Sequence, residues 1–313
     1  MTIHHDTFAG VYPAMTTPFT DGTDEVDHEQ LAADARRLAD AGVDGLVPVG
    51  STGEAATLTH DEHAEVVETV VDAVDVPVIA GTGSNSTREA LDLSERAADA
   101  GADAILLISP YYNKPEPAGQ YNHFATIADA VDLPQVVYNV PSRTGLNLDV
   151  DTVVDLAAHE NVQGYKAASG DANQISEIIE RTRDEEFDVL SGDDGMTLPL
   201  MSMGATGTIS VTANVEPERT AELVHAALNG DFERAREIHH GLGPLTRALF
   251  RETNPIPVKE AMGIRGYGPA EMRPPLTRGS DETLRVLTDL LAELEADRDG
   301  DADHDGDSTG TGA

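Results

Sequence analysis

The chain has no cysteine and no tryptophan among its 313 residues, and only three lysines, Lys114, Lys166 and Lys259. Without cysteine there is no disulfide framework, no thiol nucleophile and no thiolate metal site. Long apolar runs are missing too: no stretch approaches the about 18 residues needed to cross a bilayer. Residues 1–10 lack a basic segment followed by an apolar one, so no secretory leader is expected. His4 and His5 sit at a chain terminus, and the acidic run Asp301, Asp303 and Asp305 lacks the closing glutamate of a calcium loop, so neither predicts a metal site. The expectation is a soluble, cytoplasmic protein.

Positive charge is equally scarce. Only 20 lysines and arginines stand against 57 aspartates and glutamates, a net charge of -37 at pH 7, and aromatic residues make up 4% of the chain. Such a field repels nucleic acid and anionic membranes, and no basic patch offsets it. It also strains a compact state through self-repulsion, which molar salt relieves by shortening the Debye length to about 3 Å. An acidic, lysine-poor chain therefore predicts a halophilic protein.

What is present is regular. Short apolar runs at 11–18, 43–50, 77–83, 102–110, 134–140, 162–169, 187–193 and 206–214 alternate with amphipathic stretches such as 27–41, 59–74 and 86–100. This β-α alternation predicts parallel strands covered by helices, and eight units fit a (β/α)8 TIM barrel over residues 1–229. A doubly wound open sheet is the alternative. Helical stretches at 217–230, 231–251 and 280–296 follow; the first closes the barrel, and residues 230–296 form an appended C-terminal helical layer. From 297 to 313 the chain is polar and is expected to be a disordered acidic tail.

Lysine carries the most information. Average composition would place about 20 lysines in this length. One of the three present, Lys166, falls in the middle of the apolar strand 162–169. Burial there would disfavour the ammonium and leave a neutral amine able to attack a carbonyl; pairing with a carboxylate inside the barrel is the competing role. Strand ends supply possible partners. Gly50-Ser51-Thr52-Gly53-Glu54 offers hydroxyls and close backbone approach, 109–115 carries Tyr111 and Tyr112, and 138–145 carries Tyr138 and Arg143. A phenol can relay a proton and an arginine fork suits a carboxylate.

The segments GSTGE (50–54), PYYNKP (110–115), YNVPSRTG (138–145), the strand of Lys166, LSGDD (190–194), SVTAN (210–214) and NPIPVK (254–259) together resemble the dihydrodipicolinate synthase family, from about Phe8 to Leu294. The resemblance implies a pyruvate-dependent lyase of the class I aldolase superfamily, with Lys166 forming a Schiff base. Tyr138, Ser51 and Tyr112 would relay protons, Tyr112 reaching in from a neighbouring subunit. Thr52 would hold the pyruvate carboxylate, Arg143 the carboxylate of L-aspartate 4-semialdehyde, and Gly192 and Ile209 would line the pyruvate pocket. No cofactor or metal is implied, because the protonated imine is the electron sink. A lysine feedback site would comprise Ala56, His60, His63, Asn85, Glu89 and Tyr111, in a homotetramer built as a dimer of dimers. NPIPVK carries no catalytic role in this reading. Ser51 stands where the family usually has threonine, and Ala167 where it often has glutamate. Serine is typical of sister aldolases acting on 2-keto-3-deoxy sugar acids or N-acetylneuraminate, whereas Arg143 favours the synthase. A barrel that binds ligand without catalysis is the remaining alternative.

The charge balance has a measurable consequence. The melting temperature should rise steeply as KCl is raised from millimolar to molar, and activity should be lost on dialysis into low salt. An unchanged Tm without salt would contradict the halophilic reading.

Overall fold

The computed structural model describes residues 7–22 and 25–305, with backbone alone from 297 onward. Strands β1 (Gly10–Pro13), β2 (Ile79–Gly81), β3 (Ala104–Ile108), β4 (Gln135–Asn139), β5 (Val162–Ala167), β6 (Asp188–Ser191) and β7 (Gly207–Ser210) pair in parallel in the order β1-β7-β6-β5-β4-β3-β2. The open edges, β1 and β2, are joined by residues 43–50. Val47 N donates to Pro13 O and Leu46 N to Pro77 O, while Met15 N and Ile79 N donate back to Val47 O and Leu46 O, all at 2.8–2.9 Å. The sheet thus closes as a (β/α)8 barrel.

The 43–50 segment differs from the regular strand expected there, forming only isolated parallel bridges at Leu46 and Val47. Its composition explains why. Pro48 has no N–H to give a ladder, and Val49 adopts a left-handed φ of 50°. Gly45 is required for close approach: a Cβ there would lie 2.5 Å from the Tyr12 ring and 2.6 Å from Pro77 O.

Helices α1 (His28–Asp40), α2 (His60–Ala73), α3 (Thr87–Asp99), α4 (Pro117–Ala130), α5 (Pro141–Thr144), α6 (Val150–Ala157), α7 (Ala172–Thr182), α8 (Thr197–Ser202) and α9 (Pro217–Leu228) complete the barrel units. The acid-rich composition serves their starts. Asp27, Asp149 and Asp171 accept backbone N–H groups as N-caps, and Thr59 with Glu62 forms a capping box on α2. Two cores follow from strand alternation. One fills the barrel with Tyr12, Val47, Ile79, Leu106, Val136 and Ile209, and the other lies between strands and helices.

Beyond the barrel come α10 (Phe232–Ala248), α11 (Ile256–Ile264) and α12 (Asp281–Asp305). Their apolar faces share a third core with Val211 and Val215, so this layer packs onto the chain leaving β7. Helix α11 is not among the predicted stretches. Its prolines Pro255 and Pro257 fall at the N-cap and in the first turn, where a missing N–H costs nothing. The α12 backbone runs on to Asp305, since adding residues to an existing helix is far easier than starting one. His4, His5 and residues 306–313 lie outside the described residues. Among the described residues no helix is long and apolar enough to cross a membrane.

Gly45→Ala should force Tyr12 or the 77–79 backbone aside and lower the unfolding free energy by on the order of 1–3 kcal/mol. The urea midpoint at molar salt should fall with an unchanged slope; a wild-type midpoint would contradict the closure described.

Candidate active site

Strand parity sets the centre. In β4, Val136 and Tyr138 face the barrel interior while Val137 faces the helices; β5 pairs in register, Tyr165 opposite Val137 and Lys166 opposite Tyr138. Lys166 therefore turns inward near the C-terminal end of its strand. Its side chain is buried, with Nζ 4.3 Å from the Tyr138 ring centroid. Gly192, on the chain leaving β6, makes room for it: a Cβ there would lie 2.9 Å from both Cγ and Cε of Lys166. Ile209 lines the same interior from β7.

Burial pushes the Lys166 pKa down to about 7; the Asp194 carboxylate opposes this and the Arg143 guanidinium adds to it. Near neutral pH a large share of the amine is uncharged and nucleophilic. Tyr138 moves the other way, burial pushing its phenol up to about 12 against the pull of Arg143. It stays protonated and can both give and pass on a proton.

Lys259 shows that burial alone does not make a nucleophile. It too is buried, but its Nζ lies 2.5 Å from Glu54 Oε1 and donates to Thr17 O at 2.8 Å. The structural role weighed for a buried lysine thus belongs to Lys259. Among the described residues no ion pair within 4 Å forms at Lys166, and the field of Asp194 offsets its desolvation only in part.

Two rim residues, Thr52 and Arg143, meet at Asn254. Ser51 is half-buried and Thr52 buried in the turn after residues 43–50, and Thr52 Oγ1 accepts from Asn254 Nδ2 at 2.9 Å. Arg143 lies on α5, where Pro141 starts the turn and Gly145, at φ 68°, ends it. Its Nη2 donates to Asn254 O at 2.9 Å. Tyr112 does not join this group; it projects from the rim with φ 72° and 84% exposure.

The six residues assigned to lysine binding are brought together only in part. His60 Nε2 lies 3.1 Å from Glu89 Oε1, and Ser84 donates to the same carboxylate, holding Glu89 below the usual range. Ala56 and Asn85 are exposed, and Tyr111 is borderline. His63 instead faces inward with its Nε2 on Gly81 O at 2.8 Å, and burial pushes its pKa down. Its Nδ1 has no protein partner.

Two residues with a part in the site escape sequence reasoning. Asn254 meets Thr52 across 202 positions, a contact that no local pattern announces. Asp194 accepts from Val211 N, Thr212 N and Thr212 Oγ1, which fixes its charge near Lys166. Its place in LSGDD was the available signal. Among the described residues no group of three or more histidines and carboxylates is placed to hold a metal ion.

A buried, unpaired amine at the C-terminal mouth of a (β/α)8 barrel defines an enzyme of the imine-forming lyase class. Residues 7–294 match the dihydrodipicolinate synthetase family, and the chain belongs to it. A 4-hydroxy-tetrahydrodipicolinate synthase of Haloarcula marismortui is 71% identical over 93% of this chain and 95% of its own length. Among solved structures, the Aquifex aeolicus dihydrodipicolinate synthase is 46% identical with a TM-score of 0.89, covering 92% of this chain and 98% of that one. The Cyanidioschyzon merolae protein, solved with lysine bound, is 38% identical with a TM-score of 0.88 over 91% of this chain and 97% of that one.

Because the amine is protonated below its pKa and reactive above it, borohydride trapping of pyruvate on Lys166 should speed up as pH rises through about 7, then level off. Lys166→Ala should trap nothing. A rate still climbing toward the pKa of an ordinary lysine, about 10.4, would show that the amine is not desolvated.

Proposed function

We propose that the chain is a 4-hydroxy-tetrahydrodipicolinate synthase, condensing pyruvate with L-aspartate 4-semialdehyde on the diaminopimelate route to lysine. The observation that carries this is the burial of Lys166, without an ion-pair partner, beside a protonated Tyr138. Lys166 Nζ attacks the pyruvate ketone carbon, and loss of water gives the protonated imine. Removal of a methyl proton pushes electrons into the imine, and the resulting enamine carbon attacks the aldehyde of the second substrate. The semialdehyde's own amine then adds to the imine carbon, closes the ring and expels Lys166.

Tyr138 carries these protons, with Ser51 and a Tyr112 from another copy completing the relay. The high exposure and left-handed backbone of Tyr112 support a role outside its own subunit. Thr52 holds the pyruvate carboxylate, and Gly192 and Ile209 wall the pocket. Arg143 takes the semialdehyde carboxylate. The enzyme works as a homotetramer in a high-salt cytoplasm. Lysine inhibits it at the cluster of Glu89 and His60, where Glu89 offers an anion for an ammonium group. The lysine-bound Cyanidioschyzon merolae relative supports lysine as a ligand.

Arg143 separates this reading from a sugar-acid aldolase. A coupled assay should show turnover of aspartate semialdehyde with pyruvate, with 2-keto-3-deoxygluconate and N-acetylneuraminate cleaved poorly. Arg143→Ala should lower kcat/KM for the semialdehyde by roughly tenfold to a hundredfold, the range for one charged hydrogen bond, while Lys166 still traps pyruvate at saturating concentration. Preferred turnover of either sugar acid, or an unaffected Arg143→Ala enzyme, would overturn the assignment.

A further inference from the structure

The turn that carries Thr52 is held residue by residue from elsewhere in the chain. Gly53 O accepts from Thr17 Oγ1 at 2.7 Å. Glu54, buried with φ 54°, meets Lys259 Nζ from α11 and accepts the Arg273 backbone N–H at 3.1 Å. Asn254, just ahead of α11, donates from Nδ2 to Thr52 Oγ1. Asn254 is itself fixed, being buried with its carbonyl oxygen engaged by Arg143. The Asn254 Oδ1 is buried without a protein partner, so the Nδ2 bond to Thr52 is what its side chain makes here.

An amide nitrogen donates and cannot accept. Thr52 Oγ1 must therefore be the acceptor in this contact, and its own hydrogen is turned away from Asn254. A hydroxyl preset in this way is a donor, which a carboxylate needs and a neutral carbonyl needs less. We propose that Asn254 is a positioning residue that fixes the Thr52 hydroxyl as a hydrogen-bond donor to the substrate carboxylate. The inference rests on the reading above that Thr52 holds the carboxylate of pyruvate. It gives the appended helical layer a part in substrate binding, through the chain that leads into α11.

The test compares Asn254→Ala and Asn254→Asp, each in the wild-type and Thr52→Val backgrounds, by steady-state kinetics in pyruvate and borohydride trapping at saturating pyruvate. Losing one hydrogen bond to a charged group should raise KM for pyruvate roughly tenfold or more, kcat changing far less. Asp, isosteric but acceptor-only, would draw the hydroxyl onto itself and should be the worse of the two. In the Thr52→Val background Asn254→Ala should add nothing, because no hydroxyl remains to orient. Either variant keeping a wild-type pyruvate KM, or Asn254→Ala raising it equally in both backgrounds, would overturn the proposal. Loss of the folded state in both variants by circular dichroism would mark Asn254 as structural and would overturn it equally. Failure of the wild-type enzyme to trap pyruvate would instead defeat the functional reading beneath it.

Discussion

An amine taken out of water loses several kcal/mol of hydration as a cation, and what the protein places against it decides whether it keeps its charge. This chain performs the operation twice. Lys259 is sealed against Glu54 and the Thr17 carbonyl, and there the charge becomes a structural tie. Lys166 is sealed against the Tyr138 ring and the glycine at 192, with Asp194 acting only through its field. The barrel mouth is arranged around that second amine. Its strand register, the missing side chain at Gly192 and the anchored Asp194 each serve to hold it dry and partly neutral.

Residues that touch substrate in the proposed reaction arrive from separate strand ends, and few of them are neighbours in the chain. Tyr138 and Lys166 meet through parallel register, Thr52 comes from the segment that closes the barrel, and Arg143 from a four-residue helix begun by proline. What locks these parts together is the chain ahead of α11. Asn254 bonds both Thr52 and Arg143, while Lys259 secures the turn beyond. A layer outside the barrel thereby governs the geometry at its mouth, a coupling that depends on packing rather than on any local motif.

The surface follows a different rule. Arginines are shared between carboxylates, Arg96 with Asp61 and Asp92, Arg234 with Glu222 and Glu237. Exposed pairs of this kind contribute little, the more so in salt. The excess acid is tolerated because screening weakens repulsion over the same distances, consistent with the high identity to a Haloarcula marismortui relative. Buried centres, where counter-ions cannot enter, keep their electrostatics unchanged by that adaptation.

Much was legible in the sequence because it depends on local periodicity and on scarcity. Alternating runs specified parallel β-α units, and a chain that retains three lysines made each of them conspicuous. The strand register of the folded barrel then showed Lys166 turned inward. Other features could not be read this way. Pro48 and Val49 reduced one expected strand to bridges, and α11 formed despite its prolines. The contact of His63 Nε2 with Gly81 O was not legible either. Sequence by itself determined the barrel and singled out Lys166 as the amine to watch, since periodicity and residue type suffice for both. Tertiary structure alone decided which buried lysine is paired, and that Asn254 orients the rim. Those facts rest on contacts between residues some 200 positions apart, such as Thr52 with Asn254 and Glu54 with Lys259, which exist only once the chain has closed on itself.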